Sequence, residues 1–114
     1  MSEVCGLEEL AAILEDETAR TILTETCEQA MSAKRLSQRC DVSEPTVYRR
    51  LEDMRRCDLL EERTRPDPDG HHHKVYSANL ERIVVEVDGD GLRFEIDRRE
   101  DMADRFTRLI EGMR

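Results

Sequence analysis

Apolar residues recur along this chain in two rhythms, a helical period up to about residue 57 and again over about 98–113, and between them strand signals that alternate strictly over 83–96. Leu7, Leu10, Ala11 and Leu14 share one helical face and predict a helix over 7–15. Asp16-Glu17-Thr18 is a helix-start signal. Ala19, Ile22, Leu23 and Thr26 then continue one face to about Glu28, as a second helix or as the far half of a kinked one. Ser32 can cap a short helix from Ala33 to Arg39, with Leu36 inward. Asp41-Val42-Ser43 reads as a turn, and a helix from Glu44 to about Cys57 turns Val47, Leu51 and Met54 to its buried side.

The second rhythm starts with a strand over 59–64. Arg65-Pro66-Asp67-Pro68-Asp69-Gly70 is dense in turn formers, and His73 to Ala78 reads as the returning strand. A second hairpin follows. Ile83, Val85 and Val87 alternate, Asp88-Gly89-Asp90-Gly91 turns, and Leu92, Phe94 and Ile96 alternate back. A last helix, about 98–113, lines up Met102, Phe106, Leu109, Ile110 and Met113.

The segment 32–57 has the parts of a helix-turn-helix, which needs two short helices held at a fixed angle by a tight turn and a shared apolar contact. Leu36, Val42, Val47 and Leu51 supply the contact, and Ser37 is small where the helices should approach. Asp41 tolerates left-handed backbone, Ser43 caps the second helix and Pro45 suits its first turn. The outward side of that helix is Glu44, Thr46, Arg49, Arg50 and Asp53, with Tyr48 flanking. Arg can bridge guanine O6 and N7, and hydroxyls can reach phosphate oxygens.

Charge first obscures this picture and then sharpens it. Twenty-seven acidic residues face eighteen basic ones, net −9, which taken alone argues against a polyanionic partner. Lys34 and Lys74 are the only lysines, the other basic residues being Arg. An acidic, Lys-poor surface is similar to that of proteins from salt-loving archaea; an ordinary acidic cytosolic protein is the plain alternative. The distribution is uneven. Residues 1–31 hold eight acidic and one basic residue, whereas 32–57 hold four acidic and seven basic, net +3. The one basic segment is therefore the helix-turn-helix. The bland alternative is a solvated helical hairpin whose arginines pair with Glu52 and Asp53.

Ser32-Ala33-Lys34-Arg35-Leu36-Ser37, followed by Cys40-Asp41-Val42-Ser43-Glu44-Pro45-Thr46-Val47-Tyr48-Arg49-Arg50-Leu51, resembles the ArsR-type winged helix-turn-helix regulators of haloarchaea. Asp67-Pro68-Asp69-Gly70-His71-His72, Lys74-Val75-Tyr76 and Ala78-Asn79-Leu80-Glu81 resemble the wing and exit of the same group, so the resemblance covers about residues 10–97. It implies a homodimer on a palindromic DNA site, with each second helix in a major groove and each wing against adjacent backbone or minor groove. It places Ser43, Thr46, Tyr48, Arg49 and Arg50 among the contacts, and Lys34, Arg35, His71, His72 and Lys74 complete the candidate DNA surface. Metal-sensing members of the family carry paired cysteines on the first helix of the motif, where this chain has only Cys40.

The expected architecture is α+β: a winged helix-turn-helix with an additional β-hairpin and a C-terminal helix. Residues 1–79 form the DNA-binding region, with the helix-turn-helix at 32–57 and the wing at 59–78; residues 80–114 form the hairpin and a dimerisation helix. Leu7, Leu10 and Leu14 with Met102, Phe106, Leu109, Ile110 and Met113 exceed what a small core needs and are the candidate dimer interface. Two-fold symmetry would match a palindromic operator.

Other chemistry is weakly signalled. The cysteines at 5, 27, 40 and 57 include no C-x-x-C, a poor pattern for zinc and unlike a secreted disulfide framework, so buried, reduced thiols are expected. His71-His72-His73 would alternate faces in a strand and seldom converge on one ion. Asp88-Gly89-Asp90-Gly91 lacks the later ligands of a calcium loop. No nucleophile–base arrangement or phosphate-cradling glycine loop appears, so neither enzymatic activity nor a cofactor is expected. No long apolar run and no secretion-signal layout at Met1-Ser2-Glu3-Val4-Cys5 predict a soluble cytoplasmic protein without a membrane partner. The expected partners are double-stranded DNA, a second copy of the chain and the basal transcription machinery. Readings from other classes are a winged-helix protein-interaction adaptor and a thiol- or metal-responsive sensor.

Overall fold

Each helix among the described residues begins on a residue whose side chain can accept from the backbone, or whose successor reaches back to it. The computed structural model describes residues 5–100. Among them lie α1 (Leu7–Glu15), α2 (Glu17–Glu28), α3 (Ala33–Cys40), α4 (Glu44–Arg56) and the strands β1 (Leu60–Pro66), β2 (His72–Ala78), β3 (Leu80–Asp88) and β4 (Gly91–Arg98). The Glu9 carboxylate accepts the Gly6 N–H at 2.8 Å, where α1 starts. Asp16 settles whether the first apolar stripe is one kinked helix or two. Its backbone is extended, and its carboxylate accepts the Ala19 N–H at 2.8 Å, so α1 ends and α2 begins there. Arg20 closes the preceding end by donating to the Leu14 and Glu15 carbonyls. Ser32 and Ser43 cap α3 and α4 through the N–H groups of Arg35 and Thr46.

The chain divides between Ala78 and Asn79 into two compact units. The first is a winged helix-turn-helix. Its core gathers Leu10 and Ile13 of α1, Ile22 of α2, Leu36 of α3, and Val47, Leu51 and Met54 of α4, closed by Leu59, Leu60, Val75 and Tyr76. The wing is the antiparallel pair β1–β2, in register from Leu60 opposite Ala78 to Pro66 opposite His72. β1 runs two residues further than its sequence predicts, because an edge strand tolerates Pro66. The turn is correspondingly shorter: Asp67 donates its N–H to the His71 carbonyl at 2.8 Å, and Gly70 takes a positive φ of 86°. On the other side of β2, Met31 and Tyr76 exchange two backbone hydrogen bonds of 2.9 and 2.8 Å, which tie the α2–α3 connection to the sheet.

The end of α4 departs from expectation in two ways. First, Leu59 is not in the strand. Its N–H returns to the Met54 carbonyl and that of Asp58 to the Arg55 carbonyl, with Asp58 at φ 59°, so the helix closes in a Schellman motif. Second, Cys57 is not a reduced thiol: it forms a disulfide with Cys5, Cα–Cα 4.8 Å. The expectation of buried, reduced cysteines fails because residues 52 positions apart in sequence meet where α1 starts and α4 stops. Cys27 and Cys40 lie outside that bond, and Cys27 is exposed rather than packed inside.

The second unit contains the β3–β4 hairpin, with Ile83 opposite Ile96, Val85 opposite Phe94 and Val87 opposite Leu92. These six side chains share one face. Asp88-Gly89-Asp90-Gly91 is the turn between the strands, with the Asp88 carboxylate accepting the Asp90 N–H at 2.8 Å, which explains the alternating acids without calcium. Toward the turn the apolar face opens to solvent: Val85 is 53% exposed, Val87 73% and Leu92 50%. The opposite face is polar apart from Val84, and there Arg82 pairs with Asp97 at 2.8 Å. At the base, buried Asn79 receives N–H groups on both its oxygens, from Arg99 on the carbonyl and from Glu100 on Oδ1. The expected last helix, with Met102, Phe106, Leu109, Ile110 and Met113, lies outside the described residues but for its first few positions. Among the described residues no helix is long and apolar enough to cross a membrane.

Candidate nucleic-acid interface

The turn between α3 and α4 is built from three small local decisions. Asp41 adopts left-handed backbone, φ 58° and ψ 45°, and its N–H returns to the Ser37 carbonyl. Ser37 donates its hydroxyl to the Val42 carbonyl at 2.6 Å while its own carbonyl accepts the Val42 N–H, so a small polar residue locks the corner. Ser43 then starts α4, with Pro45 in the first turn. The result fixes the angle between α3 and α4 and leaves one long side of α4 to solvent.

That side carries the candidate contacts. Ser43, Tyr48 and Arg49 are exposed, and Thr46 is half-buried at the start of the helix. The Ser43 and Thr46 hydroxyls stand 3.0 Å apart, and Arg49 donates to Thr46 Oγ1 at 3.4 Å, so the three form one polar edge. The first turn of α4 also carries the positive partial charge of a helix start, which suits phosphate, although Pro45 has no N–H and that of Thr46 is capped by Ser43.

Arg50 behaves differently from Arg49. Each residue advances about 100° around a helix, and that step carries Arg50 from the open side to the flank facing α1 and α2. There its guanidinium pairs with Asp16 at 2.8 Å. Asp16 holds Arg50 more firmly protonated, and Arg50, foremost through this hydrogen bond, lowers the Asp16 carboxyl below its usual range against a smaller opposing effect of burial. Arg50 therefore fastens α4 to the helical body. The same sorting runs through the basic segment. Arg39 pairs with Glu25 at 3.4 Å, Arg55 with Glu62 at 2.8 Å and Arg56 with Asp53 at 3.4 Å. Among the described residues Lys34, Arg35 and Arg49 form no ion pair, and they stand exposed on the two helices of the motif.

The wing contributes less charge than its sequence suggests. Lys74 is bound to Glu62 at 3.3 Å, and His73 lies 3.8 Å from Asp67. His71 and His72 are exposed at and beside the turn. Arg65, read as turn from sequence, sits on β1 opposite His73, exposed and with no ion partner among the described residues. The cue was there in Arg63 and Arg65 at strand spacing, hidden by the density of turn formers that follows.

Of the candidate dimer residues, Leu7 is exposed and Leu14 half-buried, but Leu10 is enclosed in the core of its own chain and has no surface to offer a partner. The other five lie outside the described residues. Burial, with the nearby carboxylates of Glu25 and Asp16, raises the Cys40 thiol above its ordinary value, which disfavours the thiolate needed for metal binding. Among the described residues no three His, Cys, Asp or Glu side chains are grouped to hold a metal ion.

Residues 14–63 match the family model of a helix-turn-helix domain, a span that takes in α2, α3, α4 and the start of the wing. No curated protein matches the chain. The match falls on the segment whose geometry has just been described, and it supports a DNA-binding regulator of the helix-turn-helix kind.

Proposed function

We propose that this protein is a sequence-specific transcriptional regulator of the ArsR-like winged-helix type, acting as a homodimer on a palindromic DNA site. The observation that carries the reading is the sorting of cations on the motif: Arg50, Arg55 and Arg56 are bound into ion pairs, while the exposed Lys34, Arg35 and Arg49 have no ion partner among the described residues. α4 would lie in the major groove, with Arg49 and Thr46 at base edges and Ser43, Lys34 and Arg35 on phosphates. Arg65, His71 and His72 would follow the backbone beside it. Two copies are supported by the apolar face of the β3–β4 hairpin, which among the described residues opens to solvent near its turn and gains from a cover. A dimer seated on a promoter would act by blocking polymerase or basal factors.

In vitro selection from a random duplex library with the full chain tests the reading. The expected result is enrichment of an inverted repeat with half-sites about one helical turn apart. Failure to enrich any sequence would favour the protein-interaction reading of the same surface.

A further inference from the structure

α1 is tied to the recognition helix at its two ends, with Leu10 and Ile13 buried in the shared core between them. At one end Cys5 is bonded to Cys57, the C-cap of α4. At the other, Asp16 holds Arg50 at 2.8 Å. Between the two ties runs a groove of about 330 Å³, with Ala12, Ile13 and Met54 among its lining and Cys57 at one end. A half-exposed ion pair adds little. The disulfide is the covalent tie between the start of α1 and α4, and it grips α4 at the Schellman closure that ends the helix.

We propose that Cys5–Cys57 is a reversible dithiol–disulfide site, taking a dithiol protein or small dithiol as its reductant, whose state sets how firmly α1 clamps the recognition helix. The step balances without further reagents. A reductant thiolate attacks Sγ of Cys5, which is half-buried and more accessible than Cys57 at 2% exposure. The S–S bond breaks, and Cys57 leaves as a thiolate and takes up a proton. The reductant's second thiol, deprotonated, attacks the mixed disulfide and releases Cys5. The chain gains two electrons and two protons, and the reductant becomes a disulfide. Reduction opens a loop of 52 residues and frees the start of α1, while Asp16–Arg50 remains. The consequence for DNA rests on the function proposed above: a clamped α4 is pre-organised for its groove, so the oxidised form binds more tightly.

The test uses the full chain, oxidised and after treatment with dithiothreitol, alongside Cys5→Ser. Thiol trapping with mass readout should show one bond lost on reduction and regained on oxidation. Amide exchange should accelerate in α1 and at Asp58 and Leu59 on reduction, and Cys5→Ser should show the same pattern without reductant. The melting temperature should fall by on the order of 10 °C, and affinity for a selected duplex by about tenfold. Exchange unchanged by reduction, or a bond that fails to re-form, would overturn the proposal. If exchange responds but neither form binds any duplex, the clamp stands and the DNA reading falls.

Discussion

Arg49 and Arg50 are adjacent and chemically identical, yet one faces solvent and the other serves the fold. Sequence alone placed both on the outward side of the helix and both among the DNA contacts. What separated them was Asp16, 34 positions away in sequence, and no local pattern announces a partner at that distance. The caps were legible for the opposite reason. Ser32, Asp41 and Ser43 act on backbone within three or four residues, so their roles follow from type and position. Replacing Ser43 by Ala should cost about 1 kcal/mol in chemical denaturation, through the lost bond to the Thr46 N–H. Asp16→Asn keeps a capping oxygen but loses the charge and should cost about 0.5–1 kcal/mol near neutral pH. Because Arg50 lowers the folded Asp16 carboxyl, the stabilisation is whole above the unfolded value of about 3.9 and fades as pH falls through the lower folded one. The gap in melting temperature between wild type and Asp16→Asn should therefore be constant from neutrality down to about pH 5 and close in stronger acid. A gap that persists there would show that the ion pair is not its source.

Among the elements, dense turn formers at 65–70 located the first hairpin, period-two alternation located the second, and the 3.6-residue stripes located the helices with their faces. The boundaries that moved did so for identifiable reasons: β1 continues through Pro66 because it is an edge, and it starts late because Leu59 belongs to the closure of α4. The pairing of Met31 with Tyr76 was not legible, since a single bridged residue leaves no alternation to detect. The hairpin in the second unit has one face of six apolar side chains in three cross-strand pairs, open to solvent near its turn. If two copies meet there, replacing Val85 and Leu92 together by Lys should weaken self-association by at least about tenfold in sedimentation equilibrium. The fold of the first unit, read by its own amide exchange, should be untouched. Unchanged association would remove that face from the interface.

For the molecule as a whole, charge is the quantity that matters most, and its net value misleads. The chain carries −9, yet residues 32–57 are net +3, and most of their basic side chains are already engaged in ion pairs. Lys34, Arg35, Arg49 and Arg65 remain as the exposed cations of the proposed surface with no ion partner among the described residues. Binding should then depend modestly on salt, with a slope of log affinity on log salt no steeper than about −4 per protomer. A much steeper slope in a potassium chloride titration would mean that the paired arginines leave their partners to meet phosphate.

The central claim is that α4 reads DNA through its solvent side, with Arg49 at the centre. Equilibrium binding of wild type, Arg49→Ala and Arg56→Ala to one selected duplex at fixed salt tests it most directly. Arg49→Ala should lose roughly 5- to 150-fold in affinity for the selected site and little for an unrelated duplex. Arg56→Ala, whose guanidinium is engaged with Asp53, should stay close to wild type. Equal affinity of Arg49→Ala and wild type for the selected site would contradict the account.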